Sequence, residues 1–153
     1  MERNTNATLF TDIVLEIFKL NGLLNSQGDR LAKEFGLSSA RWKVLGAIYM
    51  QGSAQTVSQI AHNMGQSRQA IQKVVTAMKR DGFIVLKDNP KHKKAKLIAL
   101  TSKGVEAYQA LDKKQIIWSN ACAETLDIEK LEVTIQLLKK IANDFECNFD
   151  EHL

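Results

Sequence analysis

Ala70, Ile71, Val74, Val75 and Met78 recur at three- and four-residue intervals, and the positions between them, Arg68, Gln69, Gln72, Lys73 and Thr76, are polar and mostly long-armed. Such a stripe predicts a helix that buries one side and leaves a basic, hydrogen-bonding side open. Ser67 can cap its start by accepting a backbone N–H bond, and Asp81-Gly82 favours its end. The period then changes. Phe83-Ile84-Val85-Leu86 and Leu97-Ile98-Ala99-Leu100 are short β-prone runs, and the segment between them, Lys87 to Lys96, carries Pro90, the single proline of the chain. Upstream, Val57, Ile60, Ala61 and Met64 predict a short helix opened by Thr56 or Val57 and broken by Gly65. Two short helices joined by a glycine-bearing turn and followed by a hairpin are the outline of a winged helix-turn-helix.

The flanks are helical. Leu9, Phe10, Ile13, Val14, Ile17, Phe18, Leu20 and Leu24 predict a long amphipathic helix, weakened at Gly22 and Gly28 and continued by Leu31 and Phe35. Gly36-Leu37-Ser38-Ser39 interrupts the chain, and Ser38 or Ser39 caps a helix whose buried face carries Trp42, Leu45, Ile48 and Tyr49. Gln51 to Gln55 is expected to be a loop. Thr101 caps a helix running through Val105, Tyr108, Leu111, Ile116, Ile117 and Trp118. Asp127 opens a last helix through Ile128, Leu131, Val133, Ile135, Leu138, Ile141 and Phe145, and the acidic end from Cys147 to Leu153 is expected to fray. The fold class is therefore mainly α with a small β-hairpin wing. We expect one domain over 1–153, with a winged-helix core at 37–101 and helices at 8–35 and 102–147 whose apolar faces meet a second copy of the chain.

Charge sharpens this picture. The net charge of +4 is modest, but residues 41–103 hold 12 Lys and Arg against 2 Asp and Glu, a net +10, and the remainder is net −6. A basic middle between acidic ends is the electrostatic footprint of a polyanion-binding face. Among 153 residues, no run approaches the roughly 18 apolar residues of a membrane span, and the first residues lack the basic-then-apolar layout of a signal peptide. A cytoplasmic protein without membrane partners is expected. Cys122 and Cys147, the only cysteines, and His62, His92 and His152 are scattered, with no C-x-x-C spacing. No metal site, nucleophile with its base, Gly-rich phosphate loop or cofactor is expected, and hence no enzyme.

Leu37-Ser38-Ser39-Ala40-Arg41-Trp42-Lys43-Val44-Leu45, Thr56-Val57-Ser58-Gln59-Ile60-Ala61, the run from Gln66 to Gly82 and Leu100-Thr101-Ser102-Lys103-Gly104 together resemble the multiple antibiotic resistance regulator (MarR) family. The resemblance implies a homodimeric winged-helix transcription factor, usually a repressor of a pseudo-palindromic operator. It also implies release of DNA when a small phenolic or other lipophilic effector binds, or when a cysteine is oxidised. The resemblance places the recognition helix on Ser67 to Lys79 and the wing on Lys87 to Lys96. Where the family's wing usually bears Asp-Arg-Arg, this chain has His92-Lys93-Lys94, so an Asp–Arg pair between the first two is impossible. Lysine also lacks the planar fork of arginine, which shifts wing contacts toward phosphates.

The expected division of labour on double-stranded DNA follows from side-chain chemistry. Lys73, Lys91, Lys93, Lys94 and Lys96, with backbone N–H groups at the Ser67 helix start, neutralise phosphates. Arg68 pairs with guanine, and Gln69 and Gln72 pair with adenine. The resemblance suggests Phe18, Leu24, Trp42, Tyr49 and Trp118 as the lining of an effector pocket. The competing expectation is a winged helix serving as a protein-interaction adaptor, which an acidic recognition face would favour; this one is basic.

Overall fold

The computed structural model describes residues 4–148, which form six helices and one two-stranded sheet. Helix α1 (Thr5–Ala32) starts at Asn4, whose side chain accepts the Ala7 N–H, and it runs without a break through Gly22 and Gly28 into a 3-10 turn at Lys33–Phe35. The expected weakening does not interrupt it. A glycine inside a helix costs about 1 kcal/mol relative to alanine, which a 28-residue helix absorbs. Gly28 has a further use: a Cβ there would meet the Ser39 Oγ at 2.7 Å, so its bareness lets the start of the next helix pack against α1.

Helix α2 (Ser39–Gln51) is capped by Ser38, which accepts the Arg41 N–H. Helix α3 (Val57–Asn63) opens on a capping box in which Thr56 and Gln59 satisfy each other's backbone N–H groups. Its end and the end of α4 (Arg68–Arg80) close in the same way. Gly65 and Gly82 take φ of +59° and +79°, Gln66 N–H bonds Ala61 O, and Phe83 N–H bonds Met78 O. These are Schellman closures, in which only the glycine takes a left-handed turn.

Strands β1 (Ile84–Lys87) and β2 (Leu97–Leu100) pair antiparallel with Ile84 opposite Leu100 and Lys87 opposite Leu97. The first strand starts one residue later than the β-prone run suggests, because the Phe83 N–H is committed to closing α4. Gln55, expected in a loop, exchanges both backbone hydrogen bonds with Ile98, at 3.1 and 2.7 Å, and adds a one-residue third rung to the wing sheet. The core beneath the wing and helices contains Leu45, Ile48, Ile60, Ile71, Val75, Met78, Ile84, Ile98 and Leu111.

Helix α5 (Ser102–Ala123) is capped by Thr101, whose hydroxyl accepts the Gly104 N–H. Helix α6 (Ile128–Asn148) follows Asp127, whose carboxylate accepts the Lys130 N–H. By contacts the chain forms two compact units, residues up to Gln115 and residues from Ile116. The second unit holds the end of α5 and all of α6, and none of its described side chains is buried. Cys147 and Asn148, where fraying is expected to begin, are helical, and the rest of that stretch, 149–153, lies outside the described residues.

Candidate nucleic-acid interface

The α4 stripe is oriented as its periodicity requires. Ile71, Val75 and Met78 are buried, Ala70 and Val74 are half-buried, and Ser67, Arg68, Gln69, Gln72, Lys73 and Thr76 are exposed. The Ser67 Oγ accepts the Ala70 N–H at 3.1 Å and fixes the helix start. One groove of about 450 Å3 brings together Arg68, Gln69 and Gln72 of α4 with Lys94 and Lys96 of the wing. Lys73 stands on the open side of α4, and Lys91 and Lys93 lie exposed in the turn between the strands.

That turn is built by short-range bonds. The Asn89 Oδ1 accepts the Lys91 N–H at 3.0 Å, the Asn89 carbonyl accepts the His92 N–H, and the His92 carbonyl accepts the Ala95 N–H. An ion pair closes the base of the turn, with Lys96 Nζ donating to the Asp88 carboxylate. His92-Lys93 has no acid, yet the wing still has its cross-link, moved to Asp88 and Lys96. The hydrogen bond and charge of Lys96 hold the Asp88 carboxyl below the usual carboxylate range. Lys96, expected to serve phosphates, therefore has a partner already.

The other acid of the basic segment is also engaged. Asp81 sits where α4 ends, with Arg41 at 2.9 Å and Arg80 at 3.0 Å. The Arg80 hydrogen bond, joined by the charges of Arg80 and Arg41, holds the Asp81 carboxyl low; the same bond raises Arg80. The Lys103 Nζ donates to the Asp81 carbonyl at 2.8 Å and lies 4.4 Å above the Phe83 ring centre, while the Thr101 hydroxyl donates to the Gly82 carbonyl. Gly104 passes so close to the Phe83 carbonyl that no side chain fits there. Through this junction the starts of α2 and α5 grip the end of α4.

At the other end, the Asp29 carboxylate accepts the Ser39 N–H at 2.6 Å, and Asn25 Oδ1 accepts from Lys43 Nζ at 2.5 Å and from Ser39 Oγ at 3.4 Å, tying α1 to α2. Of the side chains suggested for an effector pocket, Phe18 is 70% exposed and Leu24 43% exposed on α1. Trp42 packs against the core, and Trp118 lies half-buried in the second unit. Tyr49, expected on a buried face, is 37% exposed. Its ring lies 4.4 Å from that of Tyr108, and its hydroxyl accepts from Gln109 Nε2. Burial raises the Tyr108 phenol, with Asp112 and Tyr49 adding to the shift.

Sequence reasoning missed Gln55, Asp81 and Asp88 as organisers of this surface. The signal available for the acids was their rarity, since they are the only two between Arg41 and Lys103.

A short helix, a glycine turn, a capped second helix and a basic hairpin define a winged helix-turn-helix. Residues 35–95 match the MarR family. An uncharacterized protein of Mycobacterium tuberculosis is 32% identical over 129 residues, which cover 84% of this chain and 89% of that protein. The chain belongs to the MarR family of transcription regulators. Its fold is similar to that of AbsC, a MarR family transcriptional regulator from Streptomyces coelicolor, with a TM-score of 0.79 at 19% identity, covering 95% of this chain and 98% of that one. It is also similar to that of the M. tuberculosis transcriptional regulator MOSR in complex with DNA, with a TM-score of 0.71 at 21% identity, covering 85% of this chain and 95% of that one.

Proposed function

We propose that this MarR-family protein is a homodimeric, sequence-specific repressor that binds a pseudo-palindromic operator through α4 and the wing and is released by a small lipophilic or phenolic effector. The observation that carries the DNA-binding part is the shared groove. Arg68, Gln69 and Gln72 stand beside Lys94 and Lys96, and both acids of the surrounding segment are held in ion pairs. Lys73, Lys91, Lys93 and Lys94 supply the salt-sensitive, sequence-independent attraction; Arg68, Gln69 and Gln72 supply discrimination. The MOSR structure in complex with DNA supports the same use of the fold.

Uncovered apolar surface supports the dimer. Leu9, Leu15, Phe18, Leu20 and Leu23 are more than half exposed on α1, as are Ile128 and Val133 on α6. Apolar patches on this scale mark interaction sites, and two copies joined there would present two α4 helices to successive major grooves, roughly 34 Å apart. An effector acts by preferring the dimer geometry in which that spacing is wrong. We therefore propose 37–101 as the DNA-binding core and 8–35 with 102–147 as the dimerisation helices.

A gel shift with the DNA upstream of the protein's own gene, at two salt concentrations, tests the proposal. Saturable binding that outcompetes random DNA and weakens with salt is expected. Arg68→Ala should cost roughly 1 to 3 kcal/mol of discrimination at one base pair. Equal weakening on all sequences would reduce Arg68 to a phosphate contact, and no binding to any duplex would end the DNA-binding reading.

A further inference from the structure

We propose that Thr76 is a specificity-determining positioning residue, which aligns the Gln72 amide for adenine before DNA arrives. The inference rests on the reading of α4 as the DNA-reading helix. Thr76 lies one turn beyond Gln72 on the exposed row that runs from Arg68, and it makes two hydrogen bonds to the same residue. Its hydroxyl donates to the Gln72 carbonyl at 2.8 Å, and its oxygen accepts from Gln72 Nε2 at 3.4 Å. The first bond fixes the direction of the hydroxyl hydrogen, which turns an oxygen lone pair toward the amide. The second then sets which edge of the amide faces outward.

The donor count shows why this arrangement suits adenine. A glutamine amide has two N–H donors and one carbonyl oxygen. Pairing with the major-groove edge of adenine needs the oxygen, to accept from N6, and one N–H, to donate to N7. Thr76 takes a single N–H of the two, which leaves one N–H and the oxygen for the base. The Gln72 amide thus keeps the set that adenine requires and loses much of its freedom to swing or flip, so less ordering remains to be done on binding. Among the described residues neither Arg68 nor Gln69 has a side-chain hydrogen bond, so of these three readers Gln72 alone is ordered in advance. Guanine at the same position offers two acceptors, N7 and O6, for which the amide, with one N–H already given to Thr76, has only one donor left.

The experiment uses the full chain and a duplex selected by the wild-type protein from a randomised pool, with each base pair of one half-site then varied singly. Wild type should prefer adenine at one position by about tenfold, and Gln72→Ala should abolish that preference. Thr76→Val, which keeps the shape and removes the hydroxyl, should reduce it to about threefold or less, and Thr76→Ser should restore it. Binding to unselected DNA and its salt dependence should stay unchanged in both Thr76 variants. Thr76→Ala, a better helix former, should behave as Thr76→Val and excludes a folding defect as the cause. In a Gln72→Ala background, Thr76→Val should do nothing more. A Thr76→Val protein with wild-type preference, or effects of the two substitutions that add, would overturn the proposal while leaving α4 as the reader. If wild type selects no sequence, or Gln72→Ala changes no preference, the reading of α4 fails and this inference goes with it.

Discussion

The Arg41 guanidinium stands 2.9 Å from the Asp81 carboxylate, so the first turn of α2 holds the residue on which α4 ends. Because Arg80 also bonds this carboxylate, its pKa in the folded chain is lower than in the unfolded chain. A carboxyl with a lowered folded pKa adds stability above its ordinary pKa, near 4, and that contribution disappears as pH falls through the lower folded value. Asp88 follows the same rule through Lys96. We expect the denaturant midpoint of the wild type to drop as pH is lowered from about 5. Asp81→Asn should lower the midpoint at neutral pH and flatten its acid dependence. An acid slope identical to wild type would mean that the Asp81 pairs contribute nothing in solution.

Gly104 and Gly22 should respond to alanine in opposite senses. A Cβ at Gly104 would overlap the Phe83 carbonyl, and neither backbone can move without disturbing the Thr101 bonds to Gly82 and Phe83. Gly22 lies within α1 with nothing within 4 Å of a built Cβ, so only the helix-propensity gain applies. Gly104→Ala should destabilise by about 2 kcal/mol or more, and Gly22→Ala should stabilise by roughly 0.5 to 1 kcal/mol. Thermal melts of the two variants check both signs, and a stabilised Gly104→Ala would contradict the close approach at the α4–β1 junction.

Gln55 is the buried polar residue beneath the wing, 4% exposed, with its amide donating to the Ala47 carbonyl at 2.8 Å and accepting from Asn63 Nδ2 at 3.2 Å. Gln55→Leu would leave the half-buried Ala47 carbonyl without its donor, at roughly 1 to 3 kcal/mol for a group cut off from water, whereas the exposed Asn63 amide can turn to solvent. Chemical denaturation should register that loss. A variant as stable as wild type would indicate that water replaces the amide.

What sequence could and could not reveal follows from the range of each interaction. Ile71, Val75 and Met78 declare the buried side of α4 because helix periodicity is local, and Ser67, Thr56 and Thr101 declare caps for the same reason. Gln55 pairs with Ile98, 43 positions away, and Asp81 pairs with Arg41, 40 positions away; neither contact has a local signature. The one-residue shift in β1 arises because Phe83 could serve a strand or a helix closure, and the bond to Met78 takes its N–H. Tyr49 shared the apolar spacing of Ile48 and Leu45, but it is an amphipathic ring with a polar tip, and it lies at the surface stacked on Tyr108. On the candidate DNA surface, the lysines were legible as a composition, while the acid that restrains one of them was not.

That restraint gives a prediction with an unusual sign. Asp88 is an exposed acid beside the lysines of the wing, and it binds Lys96. Removing the carboxylate should take a repelling charge away from approaching phosphates and free Lys96 to neutralise one. It should also loosen the base of the turn held by Asn89 and His92. The electrostatic gain applies to every sequence, whereas looseness harms only the placement of Lys91, Lys93 and Lys94. Asp88→Asn should therefore bind unselected DNA more tightly and increase the slope of log affinity against log salt by up to about one. Lys93→Ala should weaken binding and reduce that slope by about one. Titrations at three salt concentrations with a random duplex separate the two effects. A slope unchanged by Asp88→Asn would mean that Lys96 stays away from the phosphates even when released, and the lysine wing would then act through Lys91, Lys93 and Lys94 alone.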